Sequence, residues 1–299
     1  MSTATLPERI SAKLYIQHQE DPECRIVGTL EQLQPNAPTQ GRKIALILHG
    51  TMGHKDYLYQ KRLALKLPMD SFRFDFRGNH ETGGQWKPAA LLEDIEDIKT
   101  VVAYLKSTYG YVIDLVVAHS RGVLSAFKWI CTTEDGRNIS GFVNASGRYR
   151  MHVMNEAAWG GKEGFGEQGF CEWSVVVARK PVTVKIYRED IDIFRKWDTS
   201  FVIDQFPSTI DVLTIHGLSD TRVPPFDALI YASILGQRTP GTHTLHVIED
   251  ADHNFTNRQD DVVNKILDWL DVRQRNGTIN PIWVNTSELM GGRVETSRL

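Results

Sequence analysis

A serine, an imidazole that takes its proton and a carboxylate that orients the imidazole together make a nucleophile of an otherwise unreactive hydroxyl. Ser120, Asp220 and His253 occur in the chain order serine, acid, base, and each follows a short apolar run. They do chemistry only if the fold brings together residues far apart in the sequence. The serine has the most informative surroundings. Leu115-Val116-Val117-Ala118 is apolar, His119-Ser120 ends the run, and a helical pattern begins at once with Arg121-Gly122-Val123-Leu124. This is a strand, a sharp turn and a helix, with the serine at the apex against free N–H groups of the helix start. Strand and helix pass close together there, so small residues are needed two positions to either side. Ala118 and Gly122 meet that need, Ala118 adding one methyl to the usual G-x-S-x-G.

The acid and the base have competitors. Asp250 and Asp252 lie too near His253 in sequence to be its obvious orienting partner, and are expected to solvate a loop or cap the next helix. Among the other histidines, His49 and His119 sit in turn motifs with structural roles. His216 and His246 fall within strands, where packing or hydrogen bonding accounts for them. Arg121 puts a cation at a helix start, which is disfavoured by a few tenths to about 1 kcal/mol. A carboxylate partner from the protein is therefore expected for it. Asp75 and Arg77 are expected to stabilise their loop by pairing with each other.

Alternating elements position these residues. Lys13–His18 and Arg25–Leu30 read as antiparallel strands, and Lys43–Leu48 as a strand buried on both faces, ending at His49-Gly50-Thr51-Met52-Gly53. Ser71–Phe76, Ile113–Ala118, Ser140–Ala145, Asp211–His216 and Thr244–Ile248 are further strands. Leu91, Ile95, Ile98, Val102, Leu105 and Tyr109 recur at helical spacing, and Val123–Cys131, Phe226–Leu235 and Asp261–Leu270 are also expected to be helices. Strand and helix in alternation predict a mostly parallel sheet covered on both faces. The stretch 147–206 breaks the rhythm with Gly160-Gly161, Gly164-x-Gly166 and Gly169, then turns helical around Asp190–Trp197. It reads as a cap inserted over the sheet's C-terminal edge, where open α/β sheets bind ligands. Its aromatic residues Trp159, Phe165, Phe170, Trp173, Phe194, Trp197 and Phe201 line a pocket or join cap to core. The polar segment 272–299 lacks clear periodicity. The organisation is one domain, with core segments 1–146 and 207–271, cap and tail.

The arrangement resembles the α/β-hydrolase superfamily over almost the whole chain. Within it, the likeness is to serine esterases of the monoacylglycerol-lipase-like or cinnamoyl (feruloyl) esterase-like branch. It is carried by His49-Gly50-Thr51, Asp75-Phe76-Arg77-Gly78-Asn79-His80, Ala118-His119-Ser120-Arg121-Gly122, Gly217-Leu218-Ser219-Asp220 and Asp252-His253. The resemblance implies Ser120 as nucleophile, Asp220 as acid and His253 as base. The backbone N–H groups of Thr51 and Arg121 would form the oxyanion hole, with Met52 in place of Thr51 if the loop is shifted by one residue. It implies cleavage of small-molecule carboxylic esters without a cofactor. Thioester, lactone, amide or carbon–carbon hydrolysis, acyl transfer, and small-molecule sensing are the alternatives.

Composition narrows the partners. The 299 residues carry a formal charge of -3 and 41% apolar residues, enough for a large core and no basic surplus for nucleic acid. No apolar window is long enough for a membrane span and no leader is evident. Metal-ligand spacings are absent, and the three cysteines (Cys24, Cys131, Cys171) fit buried thiols in a reducing compartment. The sequon Asn254-Phe255-Thr256 adjoins His253, where a glycan would cover the site. Ser297-Arg298-Leu299 resembles a peroxisomal tripeptide, so the expected location is cytoplasmic or peroxisomal. Oligomeric state, acyl group and alcohol are left open.

Overall fold

The computed structural model describes residues 9–154 and 165–275, and the backbone of a strand at 282–285. The chain runs β1 (Arg9–Gln17), β2 (Arg25–Leu33), β3 (Lys43–Leu48), α1 (Gln60–Lys66), β4 (Asp70–Phe74), α2 (Leu91–Tyr109), β5 (Val112–His119), α3 (Arg121–Thr132), α4 (Glu134–Arg137) and β6 (Gly141–Ala145). It continues with β7 (Phe170–Val177), β8 (Lys180–Tyr187), α5 (Arg188–Arg195), α6 (Phe201–Gln205), β9 (Asp211–Gly217), α7 (Phe226–Leu235), β10 (His243–Ile248), α8 (Gln259–Gln274) and β11 (Ile282–Asn285).

The main sheet has the order β1-β2-β4-β3-β5-β6-β9-β10-β11. Its first two pairings are antiparallel and the remaining six parallel. The central strands are apolar throughout because both faces are covered. On one side Ile98, Phe127, Trp129 and Tyr231 of α2, α3 and α7 pack on alternate strand residues such as Leu46, Val116 and Phe142. On the other, Leu63, Val263, Ile266 and Trp269 of α1 and α8 meet Ile47, Val117 and Leu213. Removing such area from water is the main force holding the three layers together. Helix α2 buries its periodic stripe of Leu91, Ile95, Ile98, Val102 and Leu105, and stops at Gly110, whose φ of 72° turns the chain left-handed into β5.

The short helices α1, α4 and α6 were not among the expected elements, and two further segments differ from the sequence expectation. The segment between β6 and β9 contains a two-stranded antiparallel hairpin, β7 and β8, where loop was expected ahead of the helix. Its period-two signal is present in Val182, Val184 and Ile186 against Thr183 and Lys185. The turn conceals it, because Ala178 and Arg179 adopt φ of 47° and 67° in place of the usual Asn-Gly. In the polar tail, Ile282–Asn285 adds a parallel strand beside β10. It is too short for periodicity to show. Trp159, Gly160, Gly161, Gly164 and Ser297-Arg298-Leu299 lie outside the described residues.

Candidate active site

Ser120 occupies the one-residue gap between β5 and α3, with φ 53° and ψ −118°. A non-glycine residue held at positive φ costs on the order of 1–3 kcal/mol, and the surroundings must impose it. They do so through backbone bonds: Ser120 N–H donates to Ala145 O at 2.8 Å and Val123 N–H to Ser120 O at 2.9 Å. The need for small residues has a more specific origin than the strand–helix crossing. A Cβ on Gly122 would lie 2.5 Å from the His49 carbonyl, and one on Gly50 would lie 3.0 Å from Ser120 Cβ. The neighbouring strand end, β3 with its loop, is what presses on the serine turn.

The loops after β9 and β10 reach the same point. His253 Nε2 lies 2.8 Å from Ser120 Oγ, and its Nδ1 lies 2.8 Å from Asp220 Oδ2. Asp220 Oδ1 accepts the Arg222 and Val223 N–H groups, each at 2.8 Å. Its side chain is fully buried, while that of His253 is 16% exposed. Burial opposes ionisation of Asp220, but donation from His216 and His253, the charge of His253 and the Val223 amide outweigh it. The carboxyl is held well below the usual range. The His253 carbonyl is fixed in turn by His119 Nε2–H at 2.9 Å and the Ser146 hydroxyl at 3.2 Å. Burial pushes the His119 imidazole down to about 3, so it is a neutral donor. The competing acids are elsewhere: Asp252 Oδ1 accepts the Asn254 and Thr256 N–H groups at 3.0 and 2.8 Å, and Asp250 is exposed.

The loop after β3 borders the serine. His49 accepts the Phe76 N–H on Nε2 at 3.0 Å and donates from Nδ1 to Gly50 O at 2.7 Å, and burial lowers it to about 4. Gly53 N–H closes on Gly50 O at 3.1 Å. Among the described residues, the N–H groups of Thr51, Met52 and Arg121 make no backbone–backbone hydrogen bond. These amides are the candidate oxyanion donors.

Arg121 has the protein carboxylate expected for it. Nε donates to Asp94 Oδ2 at 2.7 Å and Nη1 to Pro88 O at 2.5 Å, with the Trp86 and Phe194 rings 5.7 and 5.9 Å away. Its charge is therefore matched inside the fold. Arg121→Gln is expected to lower turnover of neutral and anionic esters alike, and to destabilise the protein by about 3–5 kcal/mol by leaving Asp94 buried and unpaired. Thermal unfolding and paired kinetics on the two ester types check this.

Asp75 and Arg77 do not pair with each other. Asp75 accepts the Lys55 N–H at 2.6 Å and its ammonium at 2.7 Å, whereas Arg77 donates to Asp97 on α2, from Nε at 2.9 Å and Nη2 at 2.8 Å. Each side chain is held by a different part of the chain, and both partners lie 20 residues away, Lys55 before Asp75 and Asp97 after Arg77. Lys55, which sequence reasoning missed, is 2% exposed and also meets Glu81 at 2.5 Å. It ties the loop after β3 to the turn after β4, and no local motif marks a lysine for that role. Glu81, bonded to Lys13 and Lys55, is drawn down to about 2. Asp75, His80 and Glu81 have donor atoms within 4.8 Å of one another, the spacing of metal ligands. The Lys55 ammonium already supplies the positive charge there.

Similarity to known proteins agrees with this architecture. The structure of Est1E from Butyrivibrio proteoclasticus with ferulic acid bound superposes with a TM-score of 0.67 at 17% identity, covering 88% of this chain and 99% of that one. The chain has the α/β-hydrolase fold. The Pyrococcus furiosus esterase Pf2001 superposes with a TM-score of 0.61 at 16% identity, over 88% of this chain and 92% of its own. The prolyl oligopeptidase family model matches residues 178–275, the part of this chain that contains Asp220 and His253. The Saccharomyces cerevisiae protein YDL057W is 29% identical, over 78% of this chain and 75% of the relative.

Proposed function

We propose that this α/β hydrolase is a serine esterase that cleaves small-molecule carboxylic esters through an acyl-enzyme. One observation carries the reading: the continuous line from Ser120 Oγ through His253 to Asp220 Oδ2, with both links at 2.8 Å. Ser120 attacks the ester carbonyl as His253 Nε2 takes its proton, and the Thr51 and Arg121 amides hold the tetrahedral oxyanion. His253 then gives that proton to the departing alcohol. Water, deprotonated by the same imidazole, releases the acid and restores the serine. Every proton and acyl transfer is carried by side chains, so the steps require no cofactor. Asp220 keeps the proton of neutral His253 on Nδ1 and stabilises the imidazolium.

The stretch 147–206 serves as a cap in this reading. Met151 and Phe194 pack on Leu91 and Leu124, in the first turns of α2 and α3. The ferulic acid bound to Est1E, a free acid of the kind ester hydrolysis releases, and the esterase name of Pf2001 favour an ester substrate, while the prolyl oligopeptidase match favours amide cleavage as a second reading. Among the described residues, no helix is long and apolar enough to cross a membrane. A cytoplasmic or peroxisomal location rests on the sequence alone.

A panel of p-nitrophenyl esters, a thioester, a lactone and a peptide amide tests the proposal, with Ser120→Ala as the blank. Ester turnover by the native chain that vanishes in the blank supports it. Turnover that survives Ser120→Ala, or turnover of the amide alone, overturns it.

A further inference from the structure

A second histidine lies against the carboxylate that faces His253. His216, near the end of β9, is fully buried four residues before Asp220. Its Nε2 is 3.0 Å from Val223 O and 3.2 Å from Asp220 Oδ2. A carbonyl only accepts, so Nε2 carries the proton, directed at Val223 with Oδ2 alongside. Val223 in turn donates its N–H to Asp220 Oδ1 at 2.8 Å. The imidazole thus holds residue 223 by its carbonyl, while residue 223 holds the acid by its amide.

We propose that His216 is a positioning residue of the hydrolytic site, fixing the turn 220–223 and keeping Asp220 Oδ2 an acceptor aimed at His253 Nδ1. The inference rests on the serine-hydrolase reading above. Two other ionisable groups act on Asp220. Arg148 donates to the Arg222 carbonyl of the same turn, and His119 donates to the His253 carbonyl. Neither touches the carboxylate, whereas His216 Nε2 stands 3.2 Å from Asp220 Oδ2, the nearest side-chain nitrogen to it after His253 among the described ion pairs. A carboxylate sharing its charge with an additional N–H is the weaker base. Loss of that N–H strengthens the hold of Asp220 on the imidazolium, so activation of Ser120 requires a higher pH.

The test is the rate at which a fluorophosphonate labels Ser120 across pH, in the unaltered protein, His216→Gln and His216→Asn. A glutamine amide reaches about where Nε2–H stands, whereas an asparagine amide reaches only the Nδ1 position. His216→Asn is expected to label about tenfold to a hundredfold more slowly, the size of losing the bond that holds the turn together with the contact to the charged carboxylate, with the acid limb at higher pH. His216→Gln is expected to recover most of the native rate and the native limb. Equal losses in both variants, or native rate and limb in a folded His216→Asn protein, overturn the role. Thermal unfolding verifies that each variant is folded. Absence of labelling at Ser120 in the unaltered protein overturns the hydrolase reading instead.

Discussion

Replacing His253 by alanine is expected to lower ester turnover on the order of a million-fold, and the double change with Ser120→Ala to cost little more. The two side chains share one proton, and Oγ and Nε2 stand 2.8 Å apart. Without the imidazole, the hydroxyl has nowhere to send its proton as the carbonyl bond forms. The residual rate then comes from binding and the amide donors, which neither change removes. Steady-state kinetics on one activated ester, for both single variants and the double, give the comparison. Losses that simply multiply would show that serine and histidine act independently, against the relay.

Asp220→Asn is expected to lower kcat by about ten-thousand-fold while leaving the backbone in place. The reason is geometric. Oδ1 faces two N–H donors, from Arg222 and Val223, so the single carbonyl oxygen of asparagine must stand there. The amide nitrogen then takes the position of Oδ2 and presents hydrogens to His253 Nδ1. Imidazole responds by moving its proton to Nε2, where it points at Ser120 and can no longer accept. The same variant has a stability signature. Because the native carboxyl is held below its unfolded value, Asp220 stabilises the fold above that value, and the benefit is lost as pH falls through the native one. The stability gap between the native chain and Asp220→Asn should therefore be full at neutral pH and narrow below about pH 4. Thermal unfolding across that range measures it.

The elements that place these groups were legible where local pattern and burial agree. The apolar runs at Lys43–Leu48 and Leu115–Ala118 are strands because both sheet faces are covered, and the stripe on α2 is a helix because one face meets the core. The turn at Ser120 was readable from its small flanking residues, although the contact that demands Gly122 comes from His49, just past the end of the neighbouring strand β3. What remained hidden depends on partners distant in sequence. Lys55 as the partner of Asp75, Asp97 as that of Arg77, and His216 beside Asp220 all require knowing which loops converge. The hairpin β7–β8 stayed hidden for a local reason, a turn made without glycine or asparagine.

The most direct test of the central claim is covalent capture of the nucleophile. Intact mass after exposure to a fluorophosphonate, followed by peptide mapping, is predicted to show one adduct per chain, on Ser120. The adduct is expected to be lost in Ser120→Ala and to form far more slowly in His253→Ala. An adduct on another residue, or labelling of the native chain no faster than of His253→Ala, would contradict the account.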